Sequence, residues 1–216
     1  MKKYIILSLL SVFTVFSSCR KEKNNNQITF EPGLGDSKEN PTGTSFTLPS
    51  DVVFNGDATT INGYYDCSND SLRILGFGTY VELIVPLRNN RNDTAFVTFP
   101  GGLIFVSSST ADQNGLLIQT YVVKIPPLSD WCVSLHLSCT NLGRHIPEIG
   151  SVYKNPVVTN SQKLLELVDI LSTKQLLRLC NSNASSYSFD LQMAIWNITE
   201  YGALTAEDRA FLNTIP

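Results

Sequence analysis

The chain has 216 residues, and its 16 lysines and arginines against 19 aspartates and glutamates give a formal net charge of −3. This acidic balance argues against a nucleic-acid-binding protein, because such proteins carry a basic face. The length allows one large domain or two small ones, with ample apolar material for a core. With two histidines and no CxxC or HxxxH spacing, we predict no metal centre and expect no cofactor.

The first nineteen residues have the pattern of an export signal. Lys2 and Lys3 are followed by an apolar run over residues 4–16 and then by small residues before Cys19. That run is shorter than the about 20 apolar residues that a membrane-spanning helix needs. We therefore predict a signal peptide over residues 1–18. Its removal takes two lysines, so the mature chain carries 14 basic against 19 acidic residues, a net charge of −5.

The order Ser17-Ser18-Cys19 resembles the lipobox of bacterial lipoproteins. The resemblance implies cleavage before Cys19 and acylation of that residue, palmitate included, and more than one acyl chain gives stable anchoring. A signal peptide without lipid is the alternative, and it would leave Cys19 as an unpaired thiol. We expect a lipoprotein of the Gram-negative cell envelope, in the outer membrane, whose membrane contact is through this lipid. The periplasmic and the surface face both stay open.

Residues 19–45 read as a lipidated flexible tether. Residues 20–27 are charged and rich in asparagine, and the following residues include Pro32, Gly33 and Gly35 with hardly any large apolar side chains. Such a composition does not bury enough surface to offset the entropy of ordering. A spacer of this kind lets a folded part stand off a membrane.

Residues 46–140 predict a β-sandwich. Short runs rich in β-branched and aromatic residues, separated by turn residues, are typical of strands. Val133, Leu135 and Leu137 alternate with Ser134 and His136, which indicates a strand with one buried face. Many short strands without intervening helices favour an antiparallel sandwich. The predicted strands cover residues 79–85, 95–99, 103–106, 116–125 and 131–137.

Residues 141–216 predict a small helical part packed on the sandwich, which makes the fold α+β. A helix begins at Gln162, with Asn160 or Ser161 as its cap, and a second helical piece covers residues 173–180. A third helix covers residues 190–199 and ends at Gly202. Thr205, with Asp208 three residues later, opens a last short helix through a capping box.

The string Gln192-Met193-Ala194-Ile195-Trp196 resembles the Gln-x-Ala-x-Trp stretch of bacterial thioester-domain adhesins. In that family an upstream cysteine, on or after a strand, joins the glutamine side chain through an internal thioester, and Cys139 stands at such a place. The chain departs from the family pattern at Ser138 and Leu191, which precede the cysteine and the glutamine. A second resemblance, to uncharacterised exported bacterial proteins, covers more of the chain: Pro100-Gly101-Gly102, Gln119, Pro126-Pro127, Cys139, Pro147, Tyr153 and Gln192.

The thioester resemblance implies a binding or adhesion protein rather than an enzyme, with a protein or glycan surface partner. A thiolate attacks the amide carbon of Gln192, and His136 or His145 is a candidate proton acceptor. Trp196 lies one helical turn from Gln192, where its ring would shield the bond from water. An amine of the partner would then open the thioester and form a stable amide.

Other roles for Cys139 stay open. Cys67, Cys132, Cys139 and Cys180 allow three full disulfide pairings in an exported chain, although Cys132 and Cys139 face opposite sides of a regular strand. Cys139 is otherwise a buried thiol, or a hydrolase nucleophile with His145 for which no third orienting residue is visible. A non-covalent interaction module, or an accessory subunit of a surface assembly, is the remaining alternative.

Two short patterns indicate glycosylation. Asp70-Ser71-Leu72 and Asp93-Thr94-Ala95 resemble the Asp-Ser/Thr-aliphatic sites of exported proteins in Bacteroides-like bacteria. Both lie in predicted loops or at loop edges, where a sugar would fit. The resemblance implies Ser71 and Thr94 as the modified residues.

Overall fold

The computed structural model describes residues 29–61, 73–176 and 185–216. The predicted signal peptide at residues 1–18 and the lipidation site Cys19 lie outside these residues. So do the glycosylation candidate Ser71 and two of the cysteines, Cys67 and Cys180.

Eleven strands and three helices form the described part of the chain. In chain order they are β1 (Gly43–Ser45), β2 (Val52–Phe54), β3 (Ala58–Thr60), β4 (Arg73–Gly76), β5 (Val81–Asn89), β6 (Ala95–Phe99), β7 (Leu103–Ser107), β8 (Gly115–Leu117), β9 (Tyr121–Ile125), β10 (Asp130–Cys139), β11 (Val152–Thr159), α1 (Gln162–Ser172), α2 (Ser185–Tyr201) and α3 (Ala206–Thr214). The bounds of β6, β7 and β10 are predicted within two residues. The predicted strand at residues 116–125 is wrong, because β8 and β9 are separate strands with Gln119 in the gap between them.

Six antiparallel strands close into a barrel in the order β5, β3, β11, β7, β8, β10 and back to β5. The prediction of a sandwich is therefore wrong, although the fold is β-rich with helices as expected. The ring closes because β10 pairs with β5 along one edge and reaches β8 on the other through Ser138 and Cys139. Closure leaves the six strands without a free sheet edge. Strands β1, β2 and β4 extend the sheet, and β6 and β9 form a separate pair.

Strand β11 lies within residues 141–216, which were expected to be helical. It fills the wall between β3 and β7, so the barrel cannot close without a segment beyond residue 140. The boundary predicted at residue 140 therefore cuts through the barrel. Pro156 interrupts the apolar alternation of β11, and the register shifts between Lys154 and Val157, which is why the period-two pattern is weak in this strand.

Residues 29–45 belong to the packed fold, which differs from the flexible tether expected there. Leu34 is buried, and the Gly35 N–H donates to the Thr140 carbonyl at 3.0 Å. Strand β1 pairs with β11. The composition of this segment is poor in apolar residues, but backbone hydrogen bonds and one buried leucine attach it to the fold.

Two apolar cores lie on the two sides of the barrel wall. The first fills the barrel and includes Val133, Leu135 and Leu137 of β10. The second lies between the outer wall and the helices, where Ile104 and Leu116 meet apolar residues of α1, α2 and α3. The predicted half-buried strand is thus buried on both faces from Val133 to Cys139, because other elements cover its outer side.

The helix ends follow the local sequence signals. Ser161 caps α1, Gly202 follows α2 with a φ of 87°, and Thr205 and Asp208 form a reciprocal capping box on α3. Helix α2 begins at Ser185 rather than at residue 190, and residues 173–176 are not helical. Among the described helices, none has the length and apolar character required to cross a bilayer.

Candidate functional site

The side-chain amide of Gln192 pairs with the backbone of Cys139. Gln192 Oε1 accepts a hydrogen bond from the Cys139 N–H at 2.9 Å, and Gln192 Nε2 donates to the Cys139 carbonyl at 2.7 Å. Cys139 is the last residue of β10, and Gln192 lies on α2, 2% exposed. Two hydrogen bonds to one residue fix both the position and the plane of the amide. The residue with the thiol and the residue with the amide are thus held together away from water.

The Cys139 sulfur sits among hydrogen-bonding groups. Trp196 Nε1–H donates to Sγ at 3.4 Å and the Asn141 N–H at 3.3 Å, while the thiol donates to the Asn141 carbonyl at 3.4 Å. Burial raises the pKa of Cys139 to about 11, and the Asn141 and Trp196 contacts oppose part of that rise. The Tyr80 ring lies 5.7 Å from the Trp196 ring. The thiol is therefore protonated at neutral pH and shielded by aromatic groups.

Helix α2 contacts this turn with one face. Gln192, Trp196 and Glu200 follow one another at intervals of four residues, so they lie along one side of the helix. The first binds the Cys139 backbone, the second its sulfur, and Glu200 Oε1 accepts from the Leu142 N–H at 2.9 Å. Sequence reasoning missed Glu200, although the four-residue spacing after Trp196 was a signal that could have found it.

Asn141 holds the turn after Cys139. Its Nδ2 donates to the carbonyls of Gly33 and Gly35 at 3.0 and 2.9 Å. Its Oδ1 accepts from the Asn114 N–H at 2.9 Å and from the Thr140 hydroxyl at 3.0 Å. Because one buried amide connects three segments, the Cys139 turn is fixed relative to the rest of the fold.

A buried arginine completes the loop that follows the cysteine. The Arg144 guanidinium donates to the Asp112 carbonyl at 3.3 Å and to the Ser37 carbonyl. Burial lowers the pKa of Arg144, against the opposing effect of nearby Cys139 and of acidic groups. Within the described residues, its buried Nε has no hydrogen-bond partner.

Two carboxylates flank the same loop. Asp36 lies against Gly143, where an added Cβ would come within 2.6 Å of Asp36 Oδ1. Burial, with the charge of Asp36 as a smaller cause, raises the pKa of Glu200, whereas the Leu142 N–H and Arg144 lower it. Two acidic groups, Asp36 and Glu200, and one basic group, Arg144, therefore lie around the loop that follows the cysteine.

The two candidate proton acceptors lie in different environments. His136 is buried and alternates with Leu135 and Leu137, so its side chain points away from the barrel interior. Burial lowers the pKa of His136 to about 4, which keeps it neutral at pH 7. His145 is exposed and is tied through its backbone to Ala111. The hydrogen bonds at the sulfur come from Asn141 and Trp196.

Cys132 and Cys139, the cysteines of the described part of the chain, are free thiols, the first exposed and the second buried. Their odd separation along β10 puts them on opposite faces, so the disulfide between them, kept as an alternative, does not form. Thr94 is half-buried in the loop between β5 and β6, after the exposed Asp93.

Gln119 and Tyr153, which belong to the second resemblance, have structural contacts. Gln119 Nε2 donates to the carbonyls of Leu171 and Lys174 at 2.6 and 3.0 Å, where α1 ends. The Tyr153 hydroxyl donates to the Gln113 carbonyl at 2.6 Å. These bonds satisfy carbonyls that a helix end or a loop would otherwise leave unpaired.

A cavity of about 400 Å³ lies at β1, β3 and β11. Phe46, Phe54 and Phe105 are among its lining residues, and Asp57 and Lys154 form a 3.5 Å ion pair at the same place. Cys139 and Gln192 do not belong to its lining in the described part of the chain. The cavity is therefore separate from the cysteine site.

No family model matches the chain, and no curated protein or solved structure is significantly similar to it. Across residues 29–61, 73–176 and 185–216, no group of three or more histidine, cysteine, aspartate or glutamate side chains could hold a metal ion. Function is therefore inferred from the chemistry of the cysteine site itself.

Proposed function

We propose that this protein is a lipid-anchored envelope protein that captures a partner covalently through an internal thioester between Cys139 and Gln192. The observation that carries the proposal is the pair of hydrogen bonds, 2.9 and 2.7 Å long, between the Gln192 amide and the Cys139 backbone. They hold an otherwise unreactive amide beside a thiol, and such alignment lowers the entropic part of a reaction barrier.

Thioester formation is balanced within the site. The Cys139 sulfur bonds to the amide carbon of Gln192, the carbon–nitrogen bond breaks, and the thiol proton leaves with the nitrogen as ammonia. Negative charge develops on Gln192 Oε1, which already accepts from the Cys139 N–H and is therefore stabilised by a fixed donor. The Trp196 and Asn141 N–H groups stabilise the sulfur as it loses its proton.

Burial of the thiol fits this chemistry better than it fits a hydrolase. A pKa near 11 for Cys139 leaves little thiolate at neutral pH, which would slow an enzyme that must regenerate its nucleophile at each turnover. A thioester needs to form once, and burial then protects it from water. The buried thiol therefore favours covalent binding over a cysteine hydrolase.

The proposed lipid would keep the site near the membrane. Cys19 lies ten residues before Thr29, the first described residue, and ten residues span at most about 33–36 Å. The partner would be a protein or glycan surface bearing an amine, within reach of the envelope.

A second candidate is a non-covalent interaction module. Leu142, Ile146 and Ile149, all in the loop that follows Cys139, are 44%, 57% and 69% exposed. Exposed apolar side chains grouped on one loop are typical of interaction surfaces. The same loop would contact the partner in the covalent case.

Intact mass measurement of the purified full chain tests the thioester. We expect a mass lower by one ammonia than that of the same chain with a thiol and an amide, and a gain of one methylamine on treatment with that amine. Cys139→Ala and Gln192→Ala abolish both changes, whereas Cys132→Ala, which removes the exposed cysteine, keeps them. A loss of two hydrogens reversed by reductant, without any loss of ammonia, contradicts the thioester, and an unchanged mass favours the non-covalent module.

The lipid is tested separately from the thioester. Palmitate labelling in cells and fractionation of envelopes should place label on the wild-type chain, with loss of label and of envelope association in Cys19→Ala. Cys132→Ala is the matched control. Envelope association that survives in Cys19→Ala without label overturns the anchoring proposal and leaves the thioester unaffected.

A further inference from the structure

We propose that Glu200 receives a protonated primary amine, such as a lysine side chain, at the mouth of the cysteine site and takes its proton before the amine attacks the thioester. This proposal rests on the proposed Cys139–Gln192 thioester. It assigns a specificity-determining role to a residue that the thioester resemblance does not include.

The position of Glu200 fits an entrance. Its carboxylate is anchored to the Leu142 N–H, three residues after the fully buried Cys139. Leu142 itself is 44% exposed and Glu200 is 8% exposed, so the carboxylate lies where the turn passes from the interior to the surface. The proposed route of the amine therefore follows this turn inward, past Glu200 and then to the Cys139 sulfur.

The charges around Glu200 leave it available for a cation from outside. Arg144, the basic group of the loop, donates to the backbone carbonyls of Ser37 and Asp112. Glu200 has no ion pair within the described residues. Asp36 lies against the same loop at Gly143. Two carboxylates against one guanidinium leave an excess negative charge, which attracts an ammonium group more than it attracts neutral water.

Partial burial also suits Glu200 for proton transfer. Its pKa is raised above the usual value of a glutamate, which makes the carboxylate a better proton acceptor near neutral pH. Asp36, Arg144 and Cys139 are the titratable groups that influence it. Asp36 favours protonation of Glu200 and Arg144 opposes it, so burial decides that the pKa of Glu200 is raised.

Capture of the amine requires two proton transfers, one new bond and one broken bond. Glu200 takes one proton from the ammonium group, which becomes a neutral amine. The amine nitrogen bonds to the thioester carbon of Gln192, and the carbon–sulfur bond breaks. The second proton goes to the Cys139 sulfur, which returns to its Trp196 and Asn141 donors as a thiol. Glu200 then releases its proton to water, and a stable amide joins the two proteins.

Two amines separate this role from a structural one. Methylamine is almost fully protonated at neutral pH, whereas hydroxylamine is largely neutral. We expect Glu200→Gln to slow opening by methylamine by about 10- to 100-fold, since general-base groups contribute about that much or more. Opening by hydroxylamine should stay within about twofold of the wild-type rate on the same reasoning. The matched control is Glu207→Gln, an exposed carboxylate on α3, which changes neither rate.

The measurement is intact mass against time on the full chain, at several pH values. The methylamine rate of the wild type should show an inflection from Glu200 that Glu200→Gln lacks, and Glu200→Asp should recover part of the rate. If Glu200→Gln does not fold, Asp36→Asn should give a smaller slowing specific to methylamine. Equal slowing of both amines, or no slowing, overturns the role of Glu200. A wild-type chain that never loses ammonia overturns the thioester itself, which is a different result.

Discussion

Strand β10 contributes to two regions with different interactions: the apolar barrel interior and the polar strand end that faces α2. From Val133 to Leu137, every second side chain enters a core of apolar residues. From Ser138 onwards, the strand end is surrounded by a glutamine, an asparagine and the N–H groups of a turn. Apolar burial stabilises in proportion to area, whereas buried polar groups stabilise little and cost free energy when left unpaired.

For the proposed function, this difference decides which region of the molecule would carry the chemistry. A barrel core tolerates many apolar residues of similar volume. The Cys139 site instead needs Gln192, Trp196 and Asn141 as these residue types, because each supplies a donor or acceptor at a fixed place. Under the proposed thioester, these polar residues are kept for the chemistry of Cys139, next to an apolar core that stabilises the fold.

The largest loss of folding stability should come from a substitution that creates a cavity in the barrel core. Leu135→Ala removes a fully buried side chain of the first core, and we expect a loss of about 2–5 kcal/mol in the free energy of unfolding. Urea denaturation measures it, with the exposed Val122→Ala as a control within about 0.5 kcal/mol of wild type. The folded fraction should still lose ammonia. Loss of the thioester in folded Leu135→Ala would show that the two regions are not separable.

His136, on the outer face of the same strand, should make the free energy of unfolding depend on pH. His136 has a folded pKa of about 4 against an ordinary 6.5, so the unfolded chain binds more protons between these values. The contribution of His136 to the free energy of unfolding is fully present above pH 6.5. It is lost, by roughly 3 kcal/mol, as the pH falls towards 4. His136→Gln should flatten this part of the profile, whereas the exposed His145→Gln should not. An unchanged slope in His136→Gln contradicts this assignment.

Asn141→Ala should weaken the polar region more modestly. The change leaves the Asn114 N–H and the Gly35 carbonyl without this partner, at a cost of roughly 1–3 kcal/mol, whereas the Gly33 carbonyl still accepts from Asn114 Nδ2. We also expect a smaller fraction of the chain to lose ammonia, because the turn that carries Cys139 is no longer fixed. Urea denaturation and intact mass measure the two effects, with the exposed Asn92→Ala as control. Full ammonia loss in Asn141→Ala would mean that the turn needs no such support.

The smallest effect should come from the end of the helical layer. Thr205→Ala removes the capping box with Asp208, at a cost of about 0.5–2 kcal/mol. Thermal unfolding measures it, with Thr214→Ala at the other end of α3 for comparison. Because the hydrogen bonds of the capping box run between Thr205 and Asp208 and not to Cys139 or Gln192, we expect ammonia loss to be unaffected. A reduced loss would show that helix packing controls the thioester site.

The two regions also differ in how well the sequence predicts them. The strand β10 and the caps at Ser161 and Thr205 follow from local rules, and the structure confirms them. The expected exposure of one face of β10 was wrong, because other elements cover that face. The sandwich was wrong because β11, interrupted by Pro156, has too weak a pattern to be recognised as the strand that closes the barrel. The packed position of residues 29–45 was also missed, since backbone hydrogen bonds and a single buried leucine, rather than a run of apolar residues, attach that segment.

At the site, the residue types were readable and their arrangement was not. Cys139, Gln192 and Trp196 can be chosen from their motif, and the structure brings the three together. Glu200 carries no motif, and its contact with Leu142 exists only after α2 packs on the end of β10.

The sequence by itself determined the strands β6, β7 and β10, the helix caps and the cysteine–glutamine candidates, because these depend on periodicity and on residue types close along the chain. The tertiary structure decided that the sheet closes into a barrel, that the Gln192 amide lies on the Cys139 backbone, and that Glu200 accepts from the Leu142 N–H. Those facts depend on contacts between segments that are far apart along the chain, whose pairing is set by the burial of whole faces and not by any local pattern.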